Sequence, residues 1–265
     1  MKKVLLAIAM LGVTASSLLA ADRLTDRDVK ALVARIEEGR DRFDDALDDD
    51  VKRSIHRDGS SEAKVSDYLN DFQENIDRLE ERLKPDYAGS AEAATLLRQA
   101  TSIDRAFSQR APGMKGQSEW NRLTSDLKAL AAAYGTTFPV PAGGSVRRIG
   151  DGELAEAADG IARGASELKK ALDNELKKDP SVTKEMRQGI TAEADSLAKD
   201  AKALRSLVKN GEPSSAEADR LLARAAKLRS TISGRNLIGS AAAMTGLRPQ
   251  IETVANAYGV QAGGT

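Results

Sequence analysis

His56 is the only histidine in the chain and there is no cysteine, so the side chains that most often bind transition metals are nearly absent. A c-type haem needs a Cys-x-x-Cys-His motif, and a di-iron bundle needs two Glu-x-x-His motifs. A haem held by His56 and a methionine is disfavoured, because Met114, Met186 and Met244 have no methionine counterparts in the internal repeat described below. We interpret His56 as an exposed residue at the end of the first helix.

The densest group of charges is a run of aspartates near the end of the same helix: Asp41, Asp44, Asp45, Asp48, Asp49 and Asp50. A calcium loop of the EF-hand type needs a glycine turn and staggered oxygen ligands, whereas this run has helical periodicity and no glycine. We interpret it as a solvated acidic face. The chain also lacks Gly-x-Ser-x-Gly, Gly-x-Gly-x-x-Gly and P-loop motifs. We therefore predict a protein that is not an enzyme, with no catalytic, cofactor-binding or metal-binding residues and no cofactor.

The chain contains an internal duplication, in which the second half repeats the first at an offset of about 125 positions. The matching segments are 46–53 with 171–178, 90–93 with 215–218 and, after a one-residue deletion, 123–135 with 247–259. In an alanine-rich chain, a single match of this kind is weak evidence for a duplication. Its recurrence along a whole unit indicates two homologous units.

Four amphipathic stretches per unit set the predicted fold. In the first unit, apolar residues recur every three or four positions from Val29 to Val51, Val65 to Leu83, Ala93 to Phe107 and Trp120 to Tyr134. Short loops between them make successive helices antiparallel. The sequence thus predicts an all-α protein of two tandem up-down-up-down four-helix bundles. Its predicted core includes Phe43, Leu69, Phe72, Ile76, Phe107, Trp120 and Leu127.

The N-terminal residues are typical of an export signal. Met1-Lys2-Lys3 is basic, residues 4–13 are mainly apolar, and residues 14–21 are mostly small, as at a cleavage site. The apolar run is too short to span a bilayer comfortably, so we predict cleavage after Ala20 or Ala21 and a periplasmic or secreted protein. Without Lys2 and Lys3 the chain has two more acidic than basic residues, so we expect no nucleic acid partner. We also expect no membrane anchor after cleavage.

Two local features of the second unit depart from the first. Pro249 falls inside the predicted fourth helix, so we expect that helix to kink or to restart near Arg248. Ser214 precedes Glu217 by three positions, which predicts a capping box at the third helix.

Two matching positions leave alternatives open. The pairs Tyr134-Gly135 and Tyr258-Gly259 indicate either a tyrosine packed over the last helical turn before a left-handed glycine, or a binding site at each bundle end. Asp44-Asp45 is replaced at matching positions by Lys169-Lys170. This reversal is typical of drifting surface residues, but complementary charges could also dock unit against unit or molecule against molecule.

The predicted organisation is a signal peptide at 1–21, a first bundle at 22–135, a Pro/Gly linker at 136–150 and a second bundle at 151–265 with a short flexible tail. The interpretation that best fits the lack of chemical motifs is an exported, non-enzymatic scaffold or structural protein that acts through surfaces on protein partners. A ligand- or cofactor-binding helical bundle and a periplasmic chaperone or stress protein remain alternatives.

Overall fold

The computed structural model describes residues 23–58, 61–85, 87–108 and 115–260. The predicted signal peptide and the predicted flexible tail from residue 261 onward lie outside these ranges. Within them, no helix has both the length and the apolar character needed to cross a membrane.

The described part of the chain is mostly helical and has almost no sheet, which confirms the all-α prediction. In chain order its elements are α1 (Asp26–Ala46), α2 (Asp49–Arg53), β1 (Ile55–Asp58), β2 (Ser61–Lys64), α3 (Val65–Arg82), α4 (Ser90–Ser108), α5 (Gln117–Ala133), α6 (Asp151–Leu176), α7 (Lys184–Asn210), α8 (Ser215–Gly234) and α9 (Ile238–Ala257). The only sheet among these elements is the antiparallel hairpin of β1 and β2.

Two separate hydrophobic cores follow from the helical spacing of apolar residues. One is formed by α1, α3, α4, α5 and the linker, and the other by α6, α7, α8 and α9. All seven core residues named from the sequence are buried: Phe43, Leu69, Phe72, Ile76, Phe107, Trp120 and Leu127. The helix pairs that pack closely all lie within one half of the chain.

The first core contains an aromatic cluster, in which the ring of Phe43 lies 4.9 Å from that of Phe107 and 5.0 Å from that of Trp120. Residues without aromatic rings occupy the matching positions of the second core, where Leu168, Ile232 and Met244 are buried.

The duplication extends to individual contacts between helices. A β-carbon placed on Gly39 would lie 3.1 Å from Leu123 Cδ1, and one placed on Gly164, the matching position, would meet Leu247. These glycines let α1 approach α5, and α6 approach α9, more closely than a larger residue would allow.

A polar pair between the second and third long helices of each half is also repeated. Asn75 Nδ2 donates to Gln99 Oε1 at 2.6 Å in the first half. Arg224 Nε donates to Asp200 Oδ2 at 2.8 Å at the matching positions in the second. The duplication kept the contact but replaced two amides by an ion pair.

The first predicted helix is shorter than its apolar pattern indicates. That pattern continues to Val51, but α1 ends at Ala46 because Leu47 has an extended backbone with ψ 137°. Asp48 then occupies the N-cap position of the short helix α2, without a side-chain capping bond. Consecutive aspartates are poor residues for a helix interior and good ones for a helix start, which explains the interruption. The prediction of one continuous helix to Val51 is therefore wrong.

His56 lies in β1 opposite Ala63, rather than at the end of a helix as the sequence interpretation held. Its side chain lies outside the part of the structure that is described, so its predicted exposure stays a prediction.

The linker packs against the first half. Phe138 and Val140 are buried in the first core. Val140 N donates to Thr101 Oγ1 at 2.9 Å, and Arg147 N donates to Tyr134 O at 3.0 Å. The chain therefore reaches α6 along a defined path.

The structure tests two local predictions for the second half. The helix α9 continues through Pro249 without a restart at Arg248, since its packing against α6 and α8 holds it in place, and the alternative of a kink at Pro249 stays a prediction. The predicted capping box at Ser214 is wrong. Ser214 makes no side-chain capping bond. Its hydroxyl lies 2.7 Å from the Tyr258 hydroxyl instead.

Candidate functional site

The N-termini of α1 and α6 meet where the two halves of the chain contact each other. Four charged residues lie there, and we call them the Arg–Asp interface: Arg23, Asp26, Arg148 and Asp151. Each aspartate is the first residue of its helix, and each arginine precedes it by three positions. The two Arg-x-x-Asp segments occupy matching positions in the duplication.

The arginines cross from one half to the other in a reciprocal pattern. Arg23 binds the carboxylate of Asp151, and Arg148 Nη2 lies 2.8 Å from Asp26 Oδ1. Each guanidinium also donates to a backbone carbonyl just before the opposite helix. Arg23 donates to Ile149 O at 2.6 Å, and Arg148 donates to Leu24 O at 2.8 Å.

The aspartates make a second reciprocal pair of contacts with the helix backbones. Asp151 Oδ2 accepts a hydrogen bond from Asp26 N at 2.8 Å, and Asp26 Oδ2 accepts one from Asp151 N at 2.9 Å. Two helix N-termini that face each other bring partial positive charges together. A carboxylate from each helix offsets that charge on the other and satisfies an N–H group that has no partner within its helix.

These four charges are largely removed from solvent. The side chains of Arg148 and Arg23 are 3% and 9% exposed, and those of Asp26 and Asp151 are 19% and 16% exposed. Burial raises the pKa of Asp26 above its ordinary value, against the opposing effect of the Arg148 charge. Burial also lowers the pKa of Arg148. Two arginines and two aspartates balance in charge, which makes their joint burial tolerable.

Each half contributes a buried tyrosine beside this cluster. Tyr134 donates its hydroxyl to Ala88 O at 2.7 Å, and Tyr258 pairs with Ser214. Burial raises the pKa of both phenols, while the Arg148 charge acts against that rise at Tyr134 and the Arg23 charge does so at Tyr258. The phenols are therefore neutral at physiological pH and serve as packed hydrogen-bonding groups.

Of the two alternatives for the Tyr-Gly pairs, the contacts agree with the packed tyrosine. Gly135 and Gly259 both have φ +65°, the left-handed conformation that the helix-ending interpretation predicted.

No ion pair or hydrogen bond in the described part of the chain joins the charge-reversed positions of one half to the other half. Asp44 pairs with Lys52 at 3.0 Å within the first half, and Lys169 pairs with Asp195 at 2.7 Å within the second. The hypothesis that these residues dock one unit on the other within the chain is therefore wrong. The halves contact each other at the Arg–Asp interface instead, and a further hydrogen bond joins Arg27 Nη2 to Gly211 O at 3.2 Å.

The acidic run lies partly on α1 and partly on α2, and four of its members have partners nearby. Arg40 pairs with Asp41 at 2.9 Å, and Arg53 pairs with Asp50 at 2.8 Å. Besides the Asp44 pair, Asp48 accepts from Lys115 Nζ at 2.7 Å. In the described ranges, no group of three or more His, Asp or Glu side chains is arranged to hold a metal ion.

The sequence interpretation missed the Arg–Asp interface, although a signal for it was present. Arg23 matches Arg148, and Asp26 matches Asp151, at the same offset as the rest of the duplication. Both segments also directly precede an amphipathic helix. A search for charged residues that are identical at matching positions and lie outside the apolar pattern would have found these two segments.

No known protein family, curated protein or solved structure gives a match to this chain.

Proposed function

We propose that the protein is an exported, non-enzymatic scaffold in which two four-helix bundles, at 22–135 and 151–265, present their outer faces to protein partners at a fixed relative position. The observation that carries this proposal is the Arg–Asp interface. A flexible tether would suffice to keep two independent modules near each other. Buried, reciprocal ion pairs that also cap both helices are instead suited to fixing an orientation.

The proposal that each half is a four-helix bundle is supported by its helix contacts. In the first half α1 packs against α3 and α5, and α3 packs against α4; in the second, α6 packs against α7 and α9, and α8 packs against α7 and α9. The contacts repeated at Gly39 and Gly164 further support a common unit.

The outer faces of the two units carry opposite charges at one exposed matching position, which supports distinct partners or distinct contacts to one partner. Asp45 and Lys170 are both exposed at matching positions. Opposite charges at equivalent sites change electrostatic complementarity and therefore specificity.

Affinity capture from the envelope fraction of the source cells tests this scaffold role. We compare the wild type with Arg23→Ala/Arg148→Ala, which disrupts the interface. The matched control is Arg35→Ala/Arg163→Ala, which removes two arginines that are mostly exposed and pair within their own halves. We expect the wild type and the control to capture the same proteins, and the interface variant to lose those that contact both halves. Identical capture by all three, or a stoichiometric ligand in the purified protein, would contradict a fixed scaffold.

Export has a separate test. The intact mass of protein recovered outside the cytoplasm should correspond to a chain that begins at Ala21 or Asp22. A membrane-bound form that retains Met1 would show that the N-terminal segment is an anchor.

A further inference from the structure

Three kinds of contact that cross the Arg–Asp interface each occur twice, with the roles of the two halves exchanged. The Arg23–Asp151 pair matches the Arg148–Asp26 pair, and the bond to Ile149 O matches the bond to Leu24 O. The two aspartate–backbone bonds, which join positions 125 residues apart, match each other. In such an interface, a residue of one half contacts a residue of the other, and the two matching residues make the same contact with the halves exchanged. This is the symmetry of a two-fold dimer.

The two halves can separate without disrupting either hydrophobic core. Their hydrophobic cores have no residue in common. The segment between them contains an exposed turn at residues 141–143, closed by a hydrogen bond from Gly144 N to Pro141 O. Extending this turn would move one half away from the other and leave both cores intact.

We propose that the Arg–Asp interface is a self-complementary dimer surface, and that the partner it fits is a second copy of this chain. The first half of one copy pairs with the second half of another, and the reverse pairing completes a closed dimer. Each contact described above is remade between the copies, because residues 23–26 of one chain meet residues 148–151 of the other. This exchange is independent of what the outer helix faces bind.

Concentration sets the balance between the two forms. A linker of this length gives the two halves of one chain an effective concentration on the order of millimolar for each other. The closed monomer therefore dominates in dilute solution, and the exchanged dimer forms when chains fold or open at high local concentration. Once one pair of halves has formed between two chains, the remaining two halves are held at a high effective concentration for each other, so exchange favours a closed dimer over chains of increasing length.

The absence of cysteine from the chain allows a direct test by cross-linking of the full-length protein. Arg27 Nη2 donates to Gly211 O at 3.2 Å across the two halves, and Arg27 and Glu212 are exposed. We mix one chain carrying Arg27→Cys with another carrying Glu212→Cys, refold the mixture over a range of concentrations and add a short bismaleimide. We expect a covalent dimer of twice the chain mass whose yield rises with concentration. The chain carrying both substitutions should cross-link within the monomer.

A matched mixture controls for random collision. Lys128→Cys and Lys202→Cys place exposed thiols away from the interface, one in each half. If the Arg27/Glu212 mixture gives no more covalent dimer than this control at any concentration, the proposal is overturned.

A second measurement asks whether the dimer depends on the interface. Asp26→Asn/Asp151→Asn in both partners removes the two carboxylates and leaves both cores unchanged, so the covalent dimer should be lost. Asp159→Asn, which alters an aspartate paired with Arg163 and Arg205 within the second half, should leave the dimer yield unchanged. A dimer that persists in the interface variant would mean that the chains associate through another surface, which also overturns the proposal.

Discussion

Glu175 is a single residue that joins two helices of the second half. It lies near the end of α6, and its carboxylate accepts hydrogen bonds from Gly239 N, Ser240 N and Ser240 Oγ at 2.7, 2.8 and 2.6 Å. These donors belong to the first turn of α9, whose own capping residue, Leu237, makes no side-chain bond. A carboxylate from α6 thus serves as the cap of α9.

The titration of Glu175 makes this contact sensitive to acid. Burial acts to raise its pKa, but the hydrogen bonds from Ser240 and Gly239 together outweigh burial and lower the pKa below the ordinary value of 4.5. Because the pKa in the folded state is below that in the unfolded state, the ionised carboxylate contributes stability above the unfolded pKa. That contribution is lost as the pH falls from about 4.5 through the lowered pKa.

Glu175→Gln should therefore reduce the free energy of unfolding at neutral pH by about 1–3 kcal/mol, since two helix N–H groups lose a charged acceptor. The difference from the wild type should shrink below about pH 4.5, where the wild-type carboxylate is itself protonated. Urea unfolding across a pH series measures both effects. Glu167→Gln, at an exposed position of the same helix, is the control, and equal pH profiles for the two variants would contradict the capping role.

Phe72 tests the packing of the first core. Its side chain is fully buried, so Phe72→Ala should lower the free energy of unfolding by about 3–5 kcal/mol through lost burial and the cavity that remains. Ile238→Ala, at a position that is 75% exposed, should change it by less than about 0.5 kcal/mol. Chemical denaturation of both variants gives the comparison. A Phe72→Ala cost below about 1 kcal/mol would mean that the core tolerates the cavity by collapsing around it.

At the scale of helices, Gly164 sets how closely α6 and α9 approach. Alanine is the better helix former by about 1 kcal/mol, but its methyl group at this position would collide with Leu247, which is buried and cannot move away freely. Gly164→Ala should therefore destabilise the protein by about 1–3 kcal/mol. Thermal unfolding followed by circular dichroism measures this change.

Gly189 provides the matched control for the Gly164 prediction. It lies within α7, and no atom would come within 4 Å of a β-carbon placed there. Gly189→Ala should stabilise the protein by about 0.5–1 kcal/mol through helix propensity alone. A stabilising Gly164→Ala would show that α6 and α9 can move apart without cost.

The long helices could be predicted from the sequence because each buries one continuous apolar stripe, as Leu69, Phe72 and Ile76 do on α3. The break after Ala46 could not, because Leu47 and Val51 continue that stripe while the intervening aspartates favour a new helix start. The hairpin at Ile55–Lys64 was missed for a related reason. It has no alternating apolar pattern, and the sequence signal for it is the Gly59-Ser60 pair between the strands, a dipeptide typical of a two-residue hairpin connection.

For the whole molecule, we expect the Arg–Asp interface to fix how the halves are oriented. In Asp26→Asn/Asp151→Asn, two buried arginines lose their counter-charges, which removes much of the interaction between the halves. Spin labels at Lys128→Cys and Lys202→Cys should give a narrow distance distribution in the wild-type background and a broad one in this variant. Circular dichroism should stay helical, because both cores are intact.

Asp159→Asn is the control for that distance measurement, since Asp159 pairs only with residues of its own half in the described contacts. A narrow distribution in the interface variant would mean that the packed linker, rather than the ion pairs, holds the orientation.

The sequence could not indicate how the halves meet, for a physical reason. Arg23 and Asp26 resemble ordinary charged residues at the start of a helix, where an acidic side chain is favourable without any partner. Only the approach of a second helix start buries them. Docking of the two units through Asp44 and Lys169 within one chain was wrongly predicted from opposite charge at matching positions, whereas the interface uses identical residues at matching positions. Docking of one molecule on another through these residues stays a prediction.

The reciprocal interface also has a topological consequence. Arg23 lies close enough to Tyr258 for its charge to act on the phenol, as Arg148 does at Tyr134. Residues 136–147 connect Gly135, which follows Tyr134, to Arg148. Gly259 and Arg23 are the matching positions, so a copy of residues 136–147 inserted between them would close the described backbone into a ring. We expect a circular permutant built with that insert, and opened between Ala142 and Gly143, to fold with wild-type helicity and a similar unfolding midpoint. The interface thus specifies which helix starts meet, but not which half is synthesised first.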